Sequence, residues 1–240
     1  MNIIVLDEVN STNLYAKQNL DILEDKTVVS AIRQNSGRGR FNREWIDLGL
    51  DNIFMSIILK PSDKFDLVYT NITQYLSVSL CKVLENYGIV PSIKWPNDVL
   101  VDGSKIAGIL SETVMQGTKF KGLVLGIGIN LNSNDVDLKQ IKDKKATALN
   151  IELRKKHVDK DVFLKNLLDM FFSDYEKFLK EGFPLIIDDY ISRTKFLGKE
   201  ISVQVFNEKK LGIAKEINDK GELILENEKK EFVLTMGDIL

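Results

Sequence analysis

Residues 34–45 read Gln34-Asn35-Ser36-Gly37-Arg38-Gly39-Arg40-Phe41-Asn42-Arg43-Glu44-Trp45, and the rest of the chain is organised around them. The apolar runs 27–32 and 53–59 flank this stretch and are typical of strands. The stretch is therefore a long loop, and loops of this length are usually functional or disordered. Its glycines let the backbone approach a ligand, and its arginines suit phosphate or carboxylate. The loop alone fits a phosphate site and a nonspecific RNA-binding patch about equally well.

A second group of segments decides between these alternatives. In chain order these segments are Ser11-Thr12-Asn13, Lys94-Trp95-Pro96-Asn97-Asp98, Lys105-Ile106-Ala107-Gly108-Ile109-Leu110 and Gly126-Ile127-Gly128-Ile129-Asn130. Together with the Gly-Arg-Gly-Arg loop, they closely resemble the catalytic domain of biotin protein ligases, which shows the same motifs in the same order. The resemblance spans nearly the whole chain, and the combination is far more specific than any single motif.

Composition excludes several other classes of protein. The chain has 240 residues, 44% of them apolar and 28% charged, and a net charge of −2, so no global basic field attracts nucleic acid. The single Cys81 excludes an internal disulfide framework, and the single His157 lies in a basic run without metal-ligand neighbours. No apolar run reaches membrane-spanning length, and the N-terminus lacks a signal-peptide layout. We expect a cytoplasmic enzyme.

The periodicity along the chain predicts a mixed fold. Residues 66–87 predict one long helix stopped by Gly88, and residues 159–180 predict an amphipathic helix. Residues 132–157 predict a surface connection interrupted by Thr147-Ala148-Leu149, and after residue 198 short strands alternate with polar turns. We expect an α+β fold of the class II synthetase/biotin ligase type, in which a mixed sheet carries helices on one face. We expect residues 1–195 to form the catalytic domain, and residues 196–240 to form a small β-barrel that resembles the SH3-like C-terminal domain of biotin protein ligases.

The resemblance implies ATP-dependent attachment of biotin to a lysine of a biotin carboxyl carrier protein, through a biotinyl-5'-AMP intermediate. The first step brings a carboxylate onto the α-phosphate of ATP, and two like charges at ~4 Å repel by several kcal/mol in a partly desolvated site. Such a site needs fixed positive charge, for which Arg38, Arg40, Arg43 and Lys105 are the candidates. Mg²⁺ is expected to accompany the phosphates of ATP.

The resemblance also assigns residues to each part of the site. Expected biotin contacts are Ser11, Thr12, Asn13, Gln34, Arg38, Gly39, Arg40 and Lys105. Expected nucleotide contacts are Arg38, Arg40, Arg43, Trp45, Lys94, Asn97 and Asn130. Expected catalytic residues are Lys105, Arg40 and Asp98, where Asp98 orients the acceptor amine or takes its proton. The alternative for residues 11–13 is simple capping of a helix, and for Asp98 it is capping of a turn.

Two other functions were considered, and the sequence departs from the family pattern at one place. A lipoate ligase shares the fold and the adenylation chemistry, but its Arg-Arg-x-x-Gly-Gly-Gly stretch is not found here. An RNA-binding or adaptor protein is opposed by the near-neutral charge. Many family members continue the loop with Arg-Gly-Arg where this chain has Phe41-Asn42-Arg43, and Asn42 tolerates positive φ. Because the first strand begins near residue 2, we expect no DNA-binding domain, and the family suggests a side-by-side homodimer.

Overall fold

The computed structural model describes residues 2–49, 51–141, 145–228 and 230–240. Its strands are β1 Ile3–Val9, β2 Val28–Gln34, β3 Gly37–Arg38, β4 Glu44–Trp45, β5 Ile53–Leu59, β6 Pro91–Lys94, β7 Asp98–Val101, β8 Ser104–Gln116, β9 Lys119–Ile129, β10 Glu200–Val205, β11 Glu208–Ile217, β12 Leu223–Asn227, β13 Lys230–Leu234 and β14 Asp238–Ile239. Its α-helices are α1 Thr12–Gln18, α2 Ile72–Asn86, α3 Asp135–Leu138, α4 Leu149–Glu152, α5 Lys160–Ser173, α6 Tyr175–Glu181 and α7 Ile187–Ser192. Residues 142–144 of the expected connection lie outside the described residues.

The chain packs into two compact units, of which the first is Met1–Leu67 with Gly103–Asn166. Its sheet has the strand order β1-β2-β5-β9-β8, with β1 parallel to β2 and the other neighbours antiparallel. The central strand β5 is buried along its whole length, as its continuous apolar run predicts. Helix α1 packs against β2, β5 and β9, and both Ala16 on this helix and Leu20 just after it belong to the core.

The second unit is Val68–Asp102 with Leu167–Leu240. It contains α2, the β6–β7 hairpin and a 5-stranded antiparallel sheet of order β13-β12-β11-β10-β14. An aromatic cluster forms much of its core: the ring of Tyr75 stacks on Phe178 with centroids 4.4 Å apart, and its hydroxyl donates to the Phe171 carbonyl at 2.6 Å. Helix α2 and the C-terminal strands therefore belong to the same compact unit, and Gln74 of α2 donates to the Gly221 carbonyl at 2.9 Å.

The expected fold class is confirmed, with corrections at two places. The C-terminal antiparallel sheet is present, but among the described residues it does not close into a barrel, since its edge strands β13 and β14 are not neighbours in the sheet. The helix expected over 66–87 begins later: Leu67–Asn71 form a 3₁₀ turn, and α2 starts at Ile72. The side-chain amide nitrogen of Asn71 donates hydrogen bonds to the side-chain oxygen of Gln74 and to the Lys220 carbonyl. The domain boundary at 195/196 stays a prediction, and no helix of the described residues is long and apolar enough to cross a membrane.

Candidate functional site

The start of α1 is fastened to the end of β2. Ser11 caps the helix by accepting from the Leu14 N–H at 3.5 Å, so the capping alternative is confirmed for this residue. Thr12 donates to the side-chain oxygen of Gln34 from its main-chain nitrogen at 2.8 Å and from its hydroxyl at 3.2 Å. Thr12 and Gln34 are buried, so their polar atoms form a prearranged feature of the site and not a solvated surface.

Asn13 lies at the centre of a second polar network. Its amide nitrogen donates to the carboxylate of Glu112 at 3.0 Å and to the Leu110 carbonyl at 3.3 Å, while Ser56 donates to its amide oxygen at 2.6 Å. The side chain sits directly above the main chain of Gly126, where any Cβ would collide with its oxygen. Asn13 therefore holds one fixed orientation, which the glycine in the strand permits.

Glu112 lies at the edge of this network, close to two positively charged side chains. Its carboxylate lies 2.8 Å from the Lys17 amine and 3.7 Å from the Arg38 guanidinium. Burial raises the pKa of Glu112, but the hydrogen bonds from Lys17 and Asn13 and the charges of Lys17 and Arg38 outweigh it. The pKa of Glu112 is thus lowered from its ordinary value of 4.5. Glu112 was not singled out from the sequence, since one glutamate in a strand carries no distinguishing signal.

The arginine loop is a small hairpin and not an irregular loop. Strand β3 pairs with β4 so that Gly37 faces Trp45, and the Gly39 N–H donates to the Arg43 carbonyl at 2.7 Å. The backbone of Phe41 is left-handed, with φ of 54°. The guanidinium of Arg40 lies 5.0 Å from the centre of the Phe41 ring. A cation–π contact thus accompanies the departure from the usual arginine-rich pattern.

Two glycines form a bare floor under Trp45. Gly108 on β8 and Gly128 on β9 are direct partners in the strand register. A Cβ at Gly128 would lie 2.6 Å from the indole nitrogen of Trp45, and one at Gly108 would lie 2.9 Å from its ring. The indole is therefore in contact with the sheet backbone, which only glycine permits. Its N–H is buried and finds no acceptor among the described residues.

Lys105 lies beside this floor. Its amine is 5.4 Å from the centre of the Trp45 ring and would be 2.9 Å from a Cβ at Gly108. Its main chain is held on both sides, because Lys105 N–H donates to the Lys145 carbonyl at 2.8 Å and Thr147 N–H donates back at 2.9 Å. Asn130 in turn donates its side-chain amide to the Thr147 carbonyl at 3.0 Å. The structure thus brings together Lys105, Trp45 and Asn130 within the first unit.

Thr147 was missed as a site residue. The sequence indicated only that residues 147–149 interrupt a polar connection, and the pairing partner of such a short segment cannot be read from its own residues. In the structure Ala146, directly before this segment, forms an isolated parallel bridge with Lys105, and the Thr147 N–H donates to the Lys105 carbonyl. The segment therefore fixes the backbone from which the Lys105 side chain extends.

The remaining expected residues lie in the second unit. Lys94 and Asp98 are register partners at the turn end of the β6–β7 hairpin, and Asn97 between them is buried. Trp95 is 2% exposed and donates its indole N–H to the Gly221 carbonyl at 3.1 Å. The Tyr190 hydroxyl donates to the Pro96 carbonyl at 3.2 Å, so the hairpin end is supported from two directions.

Comparison with known proteins places this arrangement in a family. The model of the biotin/lipoate A/B protein ligase family matches residues 5–130. The chain belongs to that family. The biotin/lipoate family match covers α1, the arginine hairpin, the glycine floor and Lys105, and it ends at Asn130.

Individual family members resemble the chain over different extents. The bifunctional ligase/repressor BirA of Bacillus spizizenii is 30% identical over 214 residues, which is 89% of this chain and 65% of that protein. The chain thus spans just under two thirds of that relative, and 61% of the BirA of Bacillus subtilis. The biotin–[acetyl-CoA-carboxylase] ligase of Paracoccus denitrificans is 28% identical over 98% of both chains. The structure of the biotin protein ligase from Aquifex aeolicus in complex with biotin and ATP is 29% identical, with a TM-score of 0.85 over 100% of this chain and 97% of that one.

Proposed function

We propose that this chain is a biotin protein ligase, which attaches biotin to a lysine of a biotin carboxyl carrier protein through biotinyl-5'-AMP. The observation that carries the proposal is the meeting of three features in one unit: the buried Thr12–Gln34 pair, the glycine floor under Trp45, and Lys105. The first suits a neutral polar ring, the second a flat ligand, and the third an anion. The similar Aquifex aeolicus ligase, solved with biotin and ATP, supports the same assignment.

Biotin is proposed to lie with its ring system toward α1 and its carboxylate toward the cations. Ser11, Thr12, Asn13, Gln34, Gly39 and Lys105 are the proposed contacts, together with Arg38 and Arg40. The amide protons of Asn13 are already donated to Leu110 and Glu112. Asn13 therefore acts chiefly by shaping the site, whereas the amide nitrogen of Gln34 faces Gly37 and is available to a ligand.

The first chemical step joins the two substrates. A carboxylate oxygen of biotin attacks the α-phosphorus of ATP, the bond to the β-phosphate oxygen breaks, and pyrophosphate leaves. Lys105 is proposed to lie between the carboxylate and the α-phosphate, where a fixed cation reduces their repulsion. Arg40 and Arg43 supply further positive charge from the hairpin. Closure of the hairpin would keep water from the mixed anhydride.

The proposed nucleotide contacts are those that the resemblance to biotin protein ligases implies. Trp45 offers an aromatic face for adenine, and Arg43, Lys94, Asn97 and Asn130 are the proposed polar contacts, with Arg38 and Arg40. Mg²⁺ is proposed to arrive bound to the phosphates, since Mg²⁺ usually keeps few protein ligands. Among the described residues, no group of three or more His, Cys, Asp or Glu side chains could hold a metal ion.

The second step transfers biotin to the carrier protein. The neutral amine of the acceptor lysine attacks the acyl carbon of biotinyl-5'-AMP, AMP leaves, and an amide bond forms. Asp98 at the hairpin end is proposed to orient this amine or accept its proton. The protein is also proposed to act in the cytoplasm and to form a homodimer. Sequence-specific DNA binding is not proposed, because the net charge of −2 provides no basic field that would attract DNA.

One experiment separates this function from its rivals. The purified chain is incubated with ATP and Mg²⁺ and with either biotin or lipoate, and pyrophosphate release is measured. A biotin ligase releases pyrophosphate with biotin only and then labels a carrier domain on its lysine. Release with lipoate only would make the chain a lipoate ligase, and release with neither would favour the RNA-binding or adaptor alternative.

A further inference from the structure

Asp47 lies at the root of the arginine hairpin, two residues after β4 ends. Its side chain is 7% exposed, which is unusual for a carboxylate unless it is paired and hydrogen-bonded. Neither the motifs nor the proposed chemistry assigns it a role. Its contacts show what the carboxylate does.

Both oxygens of the Asp47 carboxylate accept hydrogen bonds from the chain around it. One oxygen accepts from the Gln34 main-chain N–H at 3.0 Å and from the Arg33 side chain at 2.7 Å. The other accepts from the Gly49 N–H at 2.8 Å. Asp47 thus ties the last residue of β2 to the segment that follows β4, and so closes the base of the hairpin.

Gln34 is consequently held at two points. Asp47 holds its main chain, and Thr12 holds its side-chain oxygen through two donors. With the oxygen committed to Thr12, the amide nitrogen must face the other way, where a Cβ at Gly37 would lie 3.1 Å from it. The position of this donor therefore depends on both anchors.

We propose that Asp47 is a positioning residue that fixes Gln34 and the base of the arginine hairpin in the geometry that binds biotin. The proposal deepens the biotin ligase function and rests on it for the identity of the ligand. The ion pair with Arg33 is a minor part, because the Arg33 side chain is 47% exposed and exposed pairs contribute little. The main-chain bonds to Gln34 and Gly49 carry the effect.

The test compares Asp47→Asn with two control variants. Asparagine has the same shape, but its NH2 group must face either the Gln34 and Arg33 donors or the Gly49 donor. We expect the KM for biotin to rise about tenfold, with a change of less than about twofold in the KM for ATP. Arg33→Met removes only the exposed ion pair. Asp25→Asn removes a similar carboxylate acceptor, which binds the Lys60 N–H at 2.6 Å far from the hairpin in sequence. Both controls are expected to keep the wild-type KM for biotin.

A second readout is independent of activity. Hydrogen–deuterium exchange of the Gln34 amide should become faster in Asp47→Asn and stay slow in both controls. Unchanged exchange would overturn the positioning role whatever the enzyme does, whereas absence of biotin-dependent pyrophosphate release from the wild type would overturn the proposed function alone.

Three kinetic outcomes also contradict the proposal: an unchanged KM for biotin, an equal rise in the KM for ATP, or an equal effect of Arg33→Met. Should Asp47→Asn fail to fold, Asp47→Glu retains the charge and displaces the carboxylate by one methylene. It is then expected to raise the KM for biotin, and a wild-type value would refute the role.

Discussion

Replacing Gly128 by alanine tests the glycine floor directly. The new methyl group would lie 2.6 Å from the indole nitrogen of Trp45 and 2.8 Å from a carbon of its ring. Non-bonded carbon atoms normally rest about 3.5–4.0 Å apart, so the indole must shift by about 1 Å. The backbone itself presents no obstacle, because Gly128 has no positive φ. The collision with Trp45 is therefore the main expected effect.

The expected cost depends on how far Trp45 yields. Overpacking of this kind typically costs about 1–3 kcal/mol, and we expect the free energy of unfolding to fall within that range. If Trp45 stacks on adenine as proposed, its displacement costs a further ~1–3 kcal/mol of binding, so the KM for ATP should rise by about tenfold or more. Urea unfolding gives the first quantity, and pyrophosphate release at varied ATP gives the second.

A double-mutant cycle with Trp45→Ala identifies the cause. If the methyl group collides with the indole, Gly128→Ala should cost little once the indole is absent. The coupling free energy between the two substitutions should then be at least ~1 kcal/mol. An equal cost of Gly128→Ala in both backgrounds would refute the floor and point to the strand backbone instead.

Three further predictions concern charged residues. Lys105→Ala should reduce biotin-dependent pyrophosphate release by orders of magnitude while circular dichroism stays unchanged, and unaltered release would exclude its role. Arg40→Gly should still form the adenylate but release it sooner, so serum albumin mixed with ATP and biotin should be labelled more than by wild type; equal labelling would contradict the closing hairpin. Because the pKa of Glu112 lies below 4.5, its contribution to stability is present above that pH and lost as the pH falls through the folded pKa. Urea unfolding should therefore show the gap between wild type and Glu112→Gln shrinking in acid, and a constant gap would contradict the pairing with Lys17.

Local patterns predicted those parts of the fold that depend on neighbouring residues in the chain. The apolar run of β5 identified a buried strand, and Gly88, with φ of 78°, ends the helix region where expected. The predicted start of α2 was wrong because the side chain of Asn71 donates a hydrogen bond to the carbonyl of Lys220, a partner 149 residues away in the chain. No helical periodicity carries information about such a partner.

The sequence predicted those residues of the candidate site that belong to short continuous motifs. Residues 11–13, 34–45 and 105–110 were identified from the sequence, and the structure brings them together in one unit. Their roles stay predictions. Thr147, Glu112 and Asp47 could not be found, because each acts through contacts with residues distant in the chain and no local pattern marks it.

The facing glycines of β8 and β9 also make the candidate site depend on the correct register between these two strands. In the native pairing Gly108 is opposite Gly128. Sliding β8 by one residue would turn its side chains to the other face, and sliding it by two would set Gly108 against Gly126 and Ile106 against Gly128. Only the native alignment pairs Gly128 with a glycine, so only this alignment keeps the surface under Trp45 free of side chains. In a sheet with a shifted strand register, Trp45 could not pack against β8 and β9, and the arginine hairpin would not reach its native position. A misfolded molecule with this error would therefore also lack the candidate site.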